Sequence, residues 1–170
     1  YLHQTDVGPV IDKQAKDKLN AYIDMMLEKH KLLARVALND NCKKGDFITP
    51  IAIEIDNLNQ LSEEQFGPIL HVVRFKASQL EDVIQQINDT DFGLTMGIHS
   101  RNEAAYKRIA IASRVGNCYI NRDQVGAVVG VQPFGGQGLS GTGPKAGGPR
   151  YLYRFTKQSF DPIVLDTNIL

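Results

Sequence analysis

Hydrophobic residues recur at helical spacing in three segments of the chain. In Asp12–Lys31 they fall on one face, at Ala15, Leu19, Tyr22, Ile23, Met26 and Leu27. Asp12 is a suitable N-cap, because its carboxylate can accept a hydrogen bond from a free N–H of the first turn. The pattern Ser78-x-x-Glu81 is that of a capping box and predicts the start of a second helix. The spacing in Asn102–Ser113 predicts a third helix.

Short apolar runs between these helices predict strands at 32–38, 47–55, 71–75, 94–99 and 115–121. Pro50 predicts that the second of these strands lies at a sheet edge or starts irregularly. Alternation in Tyr151–Thr156 predicts a C-terminal strand. Strands and helices alternate across Val72–Asn121, which is typical of βαβ units. We therefore expect an α/β fold with a mostly parallel sheet, flanking helices, a long glycine-rich loop and a C-terminal strand.

Composition narrows the class of protein without identifying it. The chain has 170 residues, so it is one ordinary domain or a piece of a larger protein, and 42% of it is hydrophobic. Nineteen basic residues balance nineteen acidic ones, which argues against a nucleic-acid-binding surface. Two cysteines and no apolar run of membrane length favour a cytoplasmic location. The four histidines are scattered, so we expect no metal site. Tyr1 is not a natural start, and we expect that an upstream part is missing.

A glycine-rich stretch, Val129–Pro149, holds eight of the 15 glycines of the chain. It includes a G-x-G-x-x-G at Gly136, Gly138 and Gly141, the spacing of a dinucleotide-binding fingerprint. That fingerprint requires a following helix, and the two prolines and three glycines of residues 142–149 cannot form one. We reject the phosphate-binding interpretation. The stretch is then either a surface loop of turns or a loop whose backbone closely approaches a ligand.

Phe134 favours the second of these alternatives. It lies between Pro133 and two glycines, so its ring can stand beside exposed backbone N–H groups. Such a pairing suits a ligand with an apolar stem and an anionic end.

A second unusual segment is Ser62–Pro68, with the sequence SEEQFGP. Two interpretations remain open. In the first, Ser62 caps a short helical turn and Phe66 fills a place in the core. In the second, Glu64 accepts hydrogen bonds from the hydroxyls of a sugar, as acidic residues often do with ribose.

Together these motifs resemble those of the aldehyde dehydrogenase superfamily. EEQFGP at 63–68 is similar to its E-x-F-G-P motif, PFGG at 133–136 to its P-F-G-G motif, and GNCYIN at 116–121 to its G-x-x-x-[IV]-N strand. The longer stretch from Val125 to Arg154 resembles the Δ1-pyrroline-5-carboxylate dehydrogenase module of bacterial bifunctional proline-utilisation proteins. The resemblance extends over about Thr5 to Lys157. It implies that residues 1–157 are the C-terminal portion of an aldehyde dehydrogenase catalytic domain and that 158–170 are a tail.

The resemblance also implies roles for five residues. Glu64 would hydrogen-bond the nicotinamide ribose of NAD, and Phe66 would pack beside the nicotinamide. The backbone N–H groups of Gly126 and Ala127 would hold the α-carboxylate of the substrate, L-glutamate γ-semialdehyde. Phe134 would line the aliphatic stem of that aldehyde.

In the superfamily the nucleophilic cysteine and the general-base glutamate precede the E-x-F-G-P motif. Cys42 lies in a polar loop without the nucleophile motif, and Cys118 falls in a later apolar strand. We therefore expect no catalytic residue in this chain and no activity of the chain alone.

The chain then resembles a fragment of an NAD-dependent dehydrogenase of proline catabolism. Its partners would be the small-molecule substrate, the rest of the parent polypeptide and further copies of the parent, with no nucleic acid and no membrane. FAD would belong only to a separate proline dehydrogenase module, if the parent has one. Two alternatives are a non-enzymatic assembly piece and a stand-alone nucleotide-binding module, and the absence of a helix after Gly141 weakens the latter.

Overall fold

The computed structural model describes residues 6–124, 128, 131–141 and 145–156. The chain divides into two compact units, Tyr1–Thr90 and Asp91–Leu170. The first combines two helices with a three-stranded sheet, and the second is built around one βαβ unit. No helix in the described ranges is both long enough and apolar enough to cross a membrane.

The first unit begins with helix α1, Lys13–Leu27. The Asp12 carboxylate accepts a hydrogen bond from the Ala15 N–H at 2.7 Å, so the predicted cap is confirmed. Three strands follow: β1 (Lys31–Arg35), β2 (Ile51–Ile55) and β3 (Ile69–Val73). They lie in the order β1-β2-β3, with β1 antiparallel to β2 and β3 parallel to it. Pro50 immediately precedes the central strand, where its missing N–H removes no ladder hydrogen bond.

The core of this unit lies between α1 and one face of the sheet. Alternate residues of β2 are buried, and Ile53 at the centre has 0% of its surface exposed. They pack with a stripe of α1 side chains three or four residues apart, as an amphipathic helix on a sheet requires. The buried cluster consists of Leu19, Ile23, Met26, Ile48, Ile51, Ile53 and Ile55.

The second helix begins differently from the sequence prediction. A 3₁₀ turn, Ala77–Gln79, leads into α2, Leu80–Asp89. Ser78 therefore lies inside a turn and does not cap the helix, and the predicted capping box with Glu81 is wrong. The Gln79 side chain instead accepts a hydrogen bond from the Lys76 N–H at 2.9 Å. The physical reason is that the helical geometry starts one turn earlier than the Ser-x-x-Glu pattern implies.

The second unit contains β4 (Phe92–Gly93), β5 (Thr95–Ile98), α3 (Glu103–Ala112), β6 (Asn117–Ile120) and β7 (Gln137–Gly138). Strands β5 and β6 are parallel and connected through α3, which confirms a βαβ unit. Strands β4 and β7 pair antiparallel. The α/β class is confirmed. The described strands nevertheless form two parallel and two antiparallel pairs, so pairing is mixed and not mostly parallel.

The predicted C-terminal strand at Tyr151–Thr156 is wrong, because Leu152–Phe155 forms a 3₁₀ helix. The rings of Tyr151 and Phe155 meet edge to face with their centroids 5.4 Å apart. Residues four positions apart in a strand would be separated by about 13 Å. Tyr151 and Phe155, which belong to the alternating pattern, thus contact each other across one helical turn.

Candidate functional site

The segment Glu63–Pro68 forms a tight turn that leads into β3. The Gly67 N–H donates to the Gln65 carbonyl at 2.9 Å, and the Ile69 N–H donates to the Gly67 carbonyl at 2.8 Å. Bonds between residues two apart define successive γ-turns. The backbone of Gly67 lies directly on the core, since a Cβ there would be 2.8 Å from Cδ1 of the buried Leu19. The turn is therefore packed against α1 through its glycine.

The two adjacent acids of this turn have different surroundings. The Glu63 carboxylate forms an ion pair with the Lys18 ammonium of α1 at 3.1 Å. The hydrogen bond from Lys18 is the main reason that the pKa of the Glu63 carboxyl lies below its ordinary value. Glu64 is exposed, and within the described part of the chain its carboxylate has no hydrogen-bond or ion-pair partner. Glu64 is thus the acid of this pair that is available to a ligand.

The Phe66 ring is 81% exposed. The interpretation in which Phe66 fills the core and Ser62 caps a helical turn is therefore wrong, since residues 61–66 also form no helix. Gly67 occupies the place against Leu19, which leaves the preceding ring directed away from the core. An exposed ring two residues from an exposed carboxylate fits a ligand that carries both a flat ring and hydroxyl groups.

Phe134 lies in the second unit, where the backbone around it is fully hydrogen-bonded. Its N–H donates to the Ala146 carbonyl at 3.0 Å, and its carbonyl accepts from the Ala146 N–H at 2.9 Å. On either side, the Asn117 amide donates to the Pro133 carbonyl at 3.1 Å and accepts from the Gly135 N–H at 3.3 Å. The Lys145 ammonium donates to the Gly116 carbonyl. The ring itself is partly exposed.

Asn117 and Lys145 are site residues that the sequence analysis did not identify. Asn117 is a polar residue within the apolar strand GNCYIN, which is the one signal that could have drawn attention to it. A polar side chain at a part-buried strand position usually has a specific hydrogen-bond partner.

The G-x-G-x-x-G spacing does not form a phosphate-binding turn. Gly138 lies in β7 with a φ of 60°, opposite Phe92 of β4. No helix begins in the described residues 131–141 or 145–150. These described residues therefore lack the helix N-terminus that a phosphate site of that type needs.

The two cysteines lie in different surroundings. Cys118 is half-buried in β6, and burial raises the pKa of its thiol. Cys42 lies in a 3₁₀ turn, Asp40–Lys44, where its Sγ donates to the Asn39 side-chain oxygen at 3.5 Å. Among the described residues, no group of three or more His, Cys, Asp or Glu side chains could hold a metal ion.

The predicted site residues fall into three groups. Glu64 and Phe66 lie together on one turn of the first unit, and Phe134 belongs to the second unit. Gly126 and Ala127 lie outside the described residues, as does the tail 158–170.

Comparison with known proteins supports the resemblance noted in the sequence. The sequence model of the aldehyde dehydrogenase family matches residues 2–160 of this chain. The chain is 49% identical over 156 residues to the bifunctional protein PutA of Escherichia coli, a match that covers 88% of this chain and 12% of that protein. It is 41% identical over 150 residues to the 1-pyrroline-5-carboxylate dehydrogenase of Bacillus subtilis, which covers 87% of this chain and 28% of that enzyme.

The fold agrees with these relationships. A crystal structure of a mutant of Bradyrhizobium japonicum proline utilization A (PutA) matches with a TM-score of 0.82 and 51% sequence identity, over 89% of this chain and 15% of that one. This chain thus spans a small part of the length of the relatives that it matches. With a family match over nearly its whole length, the chain belongs to the aldehyde dehydrogenase family.

Proposed function

We propose that this chain is part of an NAD-dependent L-glutamate γ-semialdehyde (Δ1-pyrroline-5-carboxylate) dehydrogenase, which oxidises the semialdehyde to L-glutamate. Its family and the names of its relatives support this reaction class. Residues 1–157 would be the C-terminal portion of the catalytic domain, and 158–170 a tail. The cysteine nucleophile would lie elsewhere in the parent, since the superfamily's nucleophile motif surrounds neither Cys42 nor Cys118.

The observation that carries this proposal is the exposed turn with Glu64 and Phe66. A nicotinamide cofactor, when bound, supplies the two-electron acceptor for oxidation of the aldehyde. The free Glu64 carboxylate would accept hydrogen bonds from both hydroxyls of its ribose. The exposed Phe66 ring would pack beside the nicotinamide, and both side chains are held by a turn that is anchored through Gly67. The residues therefore fit NAD.

The substrate would be held by the glycine-rich part of the second unit. Phe134 presents a partly exposed ring on a fully hydrogen-bonded backbone, which suits contact with the apolar stem of the aldehyde. Gly126 and Ala127 would donate backbone N–H groups to the α-carboxylate, and the small side chain of Ala127 leaves room for the α-carbon.

The partners follow from the parent protein. They would be the rest of its polypeptide and further copies of it, in the cytoplasm. FAD would be bound only by a separate proline dehydrogenase module, if the parent contains one.

The test is Glu64→Gln in the parent enzyme, with Glu63→Gln as the matched control. Replacing a charged acceptor by a neutral one should raise KM for NAD about tenfold, because hydrogen bonds to charged groups are roughly twice as strong as neutral ones. Glu63→Gln changes the adjacent acid in the same way but only breaks an exposed ion pair with Lys18. Equal KM values for NAD in the two variants would contradict the proposal.

A further inference from the structure

We infer that Asn117 is a positioning residue for Phe134. Its side chain hydrogen-bonds the two peptide groups that flank Phe134 and thereby fixes the direction of the Phe134 ring. The inference rests on the proposed function, because it takes Phe134 as the side chain that lines the stem of the aldehyde. It adds a residue on strand β6 to the substrate site, although Asn117 itself does not contact the substrate.

The hydrogen bonds of Asn117 are directed to the two neighbours of Phe134. Its Nδ2 donates to the Pro133 carbonyl at 3.1 Å, and its Oδ1 accepts from the Gly135 N–H at 3.3 Å. The orientation of the amide is determined by its partners, because a carbonyl can only accept and a peptide N–H can only donate. The Asn117 side chain is thus hydrogen-bonded both to the residue before Phe134 and to the residue after it.

Ala146 completes the set of hydrogen bonds. The N–H and the carbonyl of Phe134 are both bonded to the backbone of Ala146, at 3.0 and 2.9 Å. Four backbone groups around Phe134 are therefore satisfied, two by Asn117 and two by Ala146. With its backbone held at four points, the only part of Phe134 that remains available to a ligand is its partly exposed ring.

Asn117 is a suitable anchor because its own position is well determined. It is the first residue of β6, where it lies opposite Thr95 of β5, and its N–H donates to the Leu94 carbonyl at 3.1 Å. The preceding residue is Gly116, and a Cβ at that position would overlap the Gly135 carbonyl oxygen. The absence of a side chain at Gly116 lets the glycine-rich stretch approach β6 closely enough for the Asn117 amide to reach both peptides.

This arrangement predicts a specific kinetic effect. A ring that contacts the stem, and not the reacting carbonyl, contributes equally to binding of the ground state and the transition state. Loss of such a contact raises KM and leaves kcat unchanged. A substitution that only loosens the fold would change thermal stability without this separation of KM from kcat.

The test is a double-mutant cycle in the parent enzyme, with Asn117→Ala, Phe134→Ala and the double variant. Asn117→Ala should raise KM for the semialdehyde about fivefold, through loss of two hydrogen bonds, with kcat within about twofold of the parent value. The double variant should have the KM of Phe134→Ala alone, because Asn117 acts only through Phe134.

Asn102→Ala is the matched control. It makes the same substitution in the same unit and removes the cap of α3, where the Asn102 side chain accepts from the Ala105 N–H at 3.1 Å. It should lower thermal stability and leave KM for the aldehyde unchanged. If Asn117→Ala does not fold, Asn117→Asp gives the same cycle, because it keeps the acceptor for Gly135 and replaces the donor for Pro133 by a charged oxygen that repels the Pro133 carbonyl.

The outcomes separate the inference from the proposed function. If Phe134→Ala raises KM and Asn117→Ala does not, or if the two effects simply add, the role of Asn117 is refuted and the role of Phe134 stands. A rise in KM with Asn102→Ala equal to that with Asn117→Ala also refutes it. If Phe134→Ala itself leaves KM unchanged, the assignment of Phe134 fails, and the positioning role fails with it.

Discussion

Gly116→Ala tests how closely the glycine-rich stretch lies against strand β6. A Cβ at position 116 would overlap the Gly135 carbonyl oxygen and lie 2.7 Å from both the carbonyl carbon of Gly135 and Cα of Gly136. All three are backbone atoms, so no side chain can rotate away to accommodate the methyl group. The Gly116 N–H is itself bonded to the Gly93 carbonyl at 2.9 Å, which holds the strand side in place. We therefore expect the glycine-rich stretch to move.

The magnitude follows from the distances. Carbon atoms in favourable contact are about 3.5–4.0 Å apart, so the two backbones must separate by roughly 1 Å. The Asn117 hydrogen bonds to Pro133 and Gly135, at 3.1 and 3.3 Å, would then exceed the length of a hydrogen bond. Two such bonds contribute about 1–3 kcal/mol together. The local opening equilibrium should shift by about 5- to 150-fold.

Amide hydrogen exchange of the parent enzyme measures this shift directly. In Gly116→Ala the peptide that covers residues 131–141 should exchange about 5- to 150-fold faster, while α1 should be unaffected. Gly97→Ala on the neighbouring strand β5 is the control, because the nearest atom to its Cβ would be the Gln124 side-chain oxygen at an ordinary 3.5 Å. Unchanged protection in Gly116→Ala, or equal loss in Gly97→Ala, would refute the close approach.

Two further predictions concern pH and activity. The Tyr22 hydroxyl lies 2.9 Å from Nε2 of the half-buried His71, and burial, followed by repulsion from His30, lowers the pKa of His71 in the folded chain. The free energy of unfolding should therefore keep its full value above the unfolded pKa of about 6.5 and decrease as pH falls from there through the folded pKa. The urea midpoint should show this decrease. An equally steep decrease in His71→Gln would contradict the prediction. The isolated 170-residue chain should produce no NADH from Δ1-pyrroline-5-carboxylate, and absorbance at the NADH band would reveal any turnover.

Local patterns predicted the elements that depend on local physics. Helix α1 and its Asp12 cap follow from periodicity and from one side chain that reaches one N–H. The strand-helix-strand order of 94–121 likewise predicted the βαβ unit. The predictions for Ser78 and for residues 151–156 were wrong because a competing local geometry, a 3₁₀ turn in both cases, satisfies the same pattern of residue types.

The site was predictable only in part, for a physical reason. The motif at 63–68 predicted Glu64 and Phe66 as candidate site residues, but sequence alone left open whether Phe66 is buried or exposed. That choice depends on the contact between Gly67 and Leu19, which are far apart in the chain. The link from Asn117 to the peptides beside Phe134 is similarly non-local. Hydrogen bonds between distant segments leave no periodic signal, so the only trace in the sequence is a polar residue in an apolar strand.

Phe66 is exposed and Phe134 is partly exposed, and in each case the neighbouring backbone packs against the rest of its own unit. At Phe66 the adjacent Gly67 lies on Leu19 of the core, and the ring projects outwards. At Phe134 the flanking peptides are bonded to Asn117, and Gly135 lies against Gly116. A larger residue at Gly67 would crowd the Leu19 side chain, and one at Gly116 would push the Gly135 peptide away from β6 and move the Phe134 ring with it. Glycine at positions 67 and 116 thus permits close packing next to a backbone that carries an aromatic side chain.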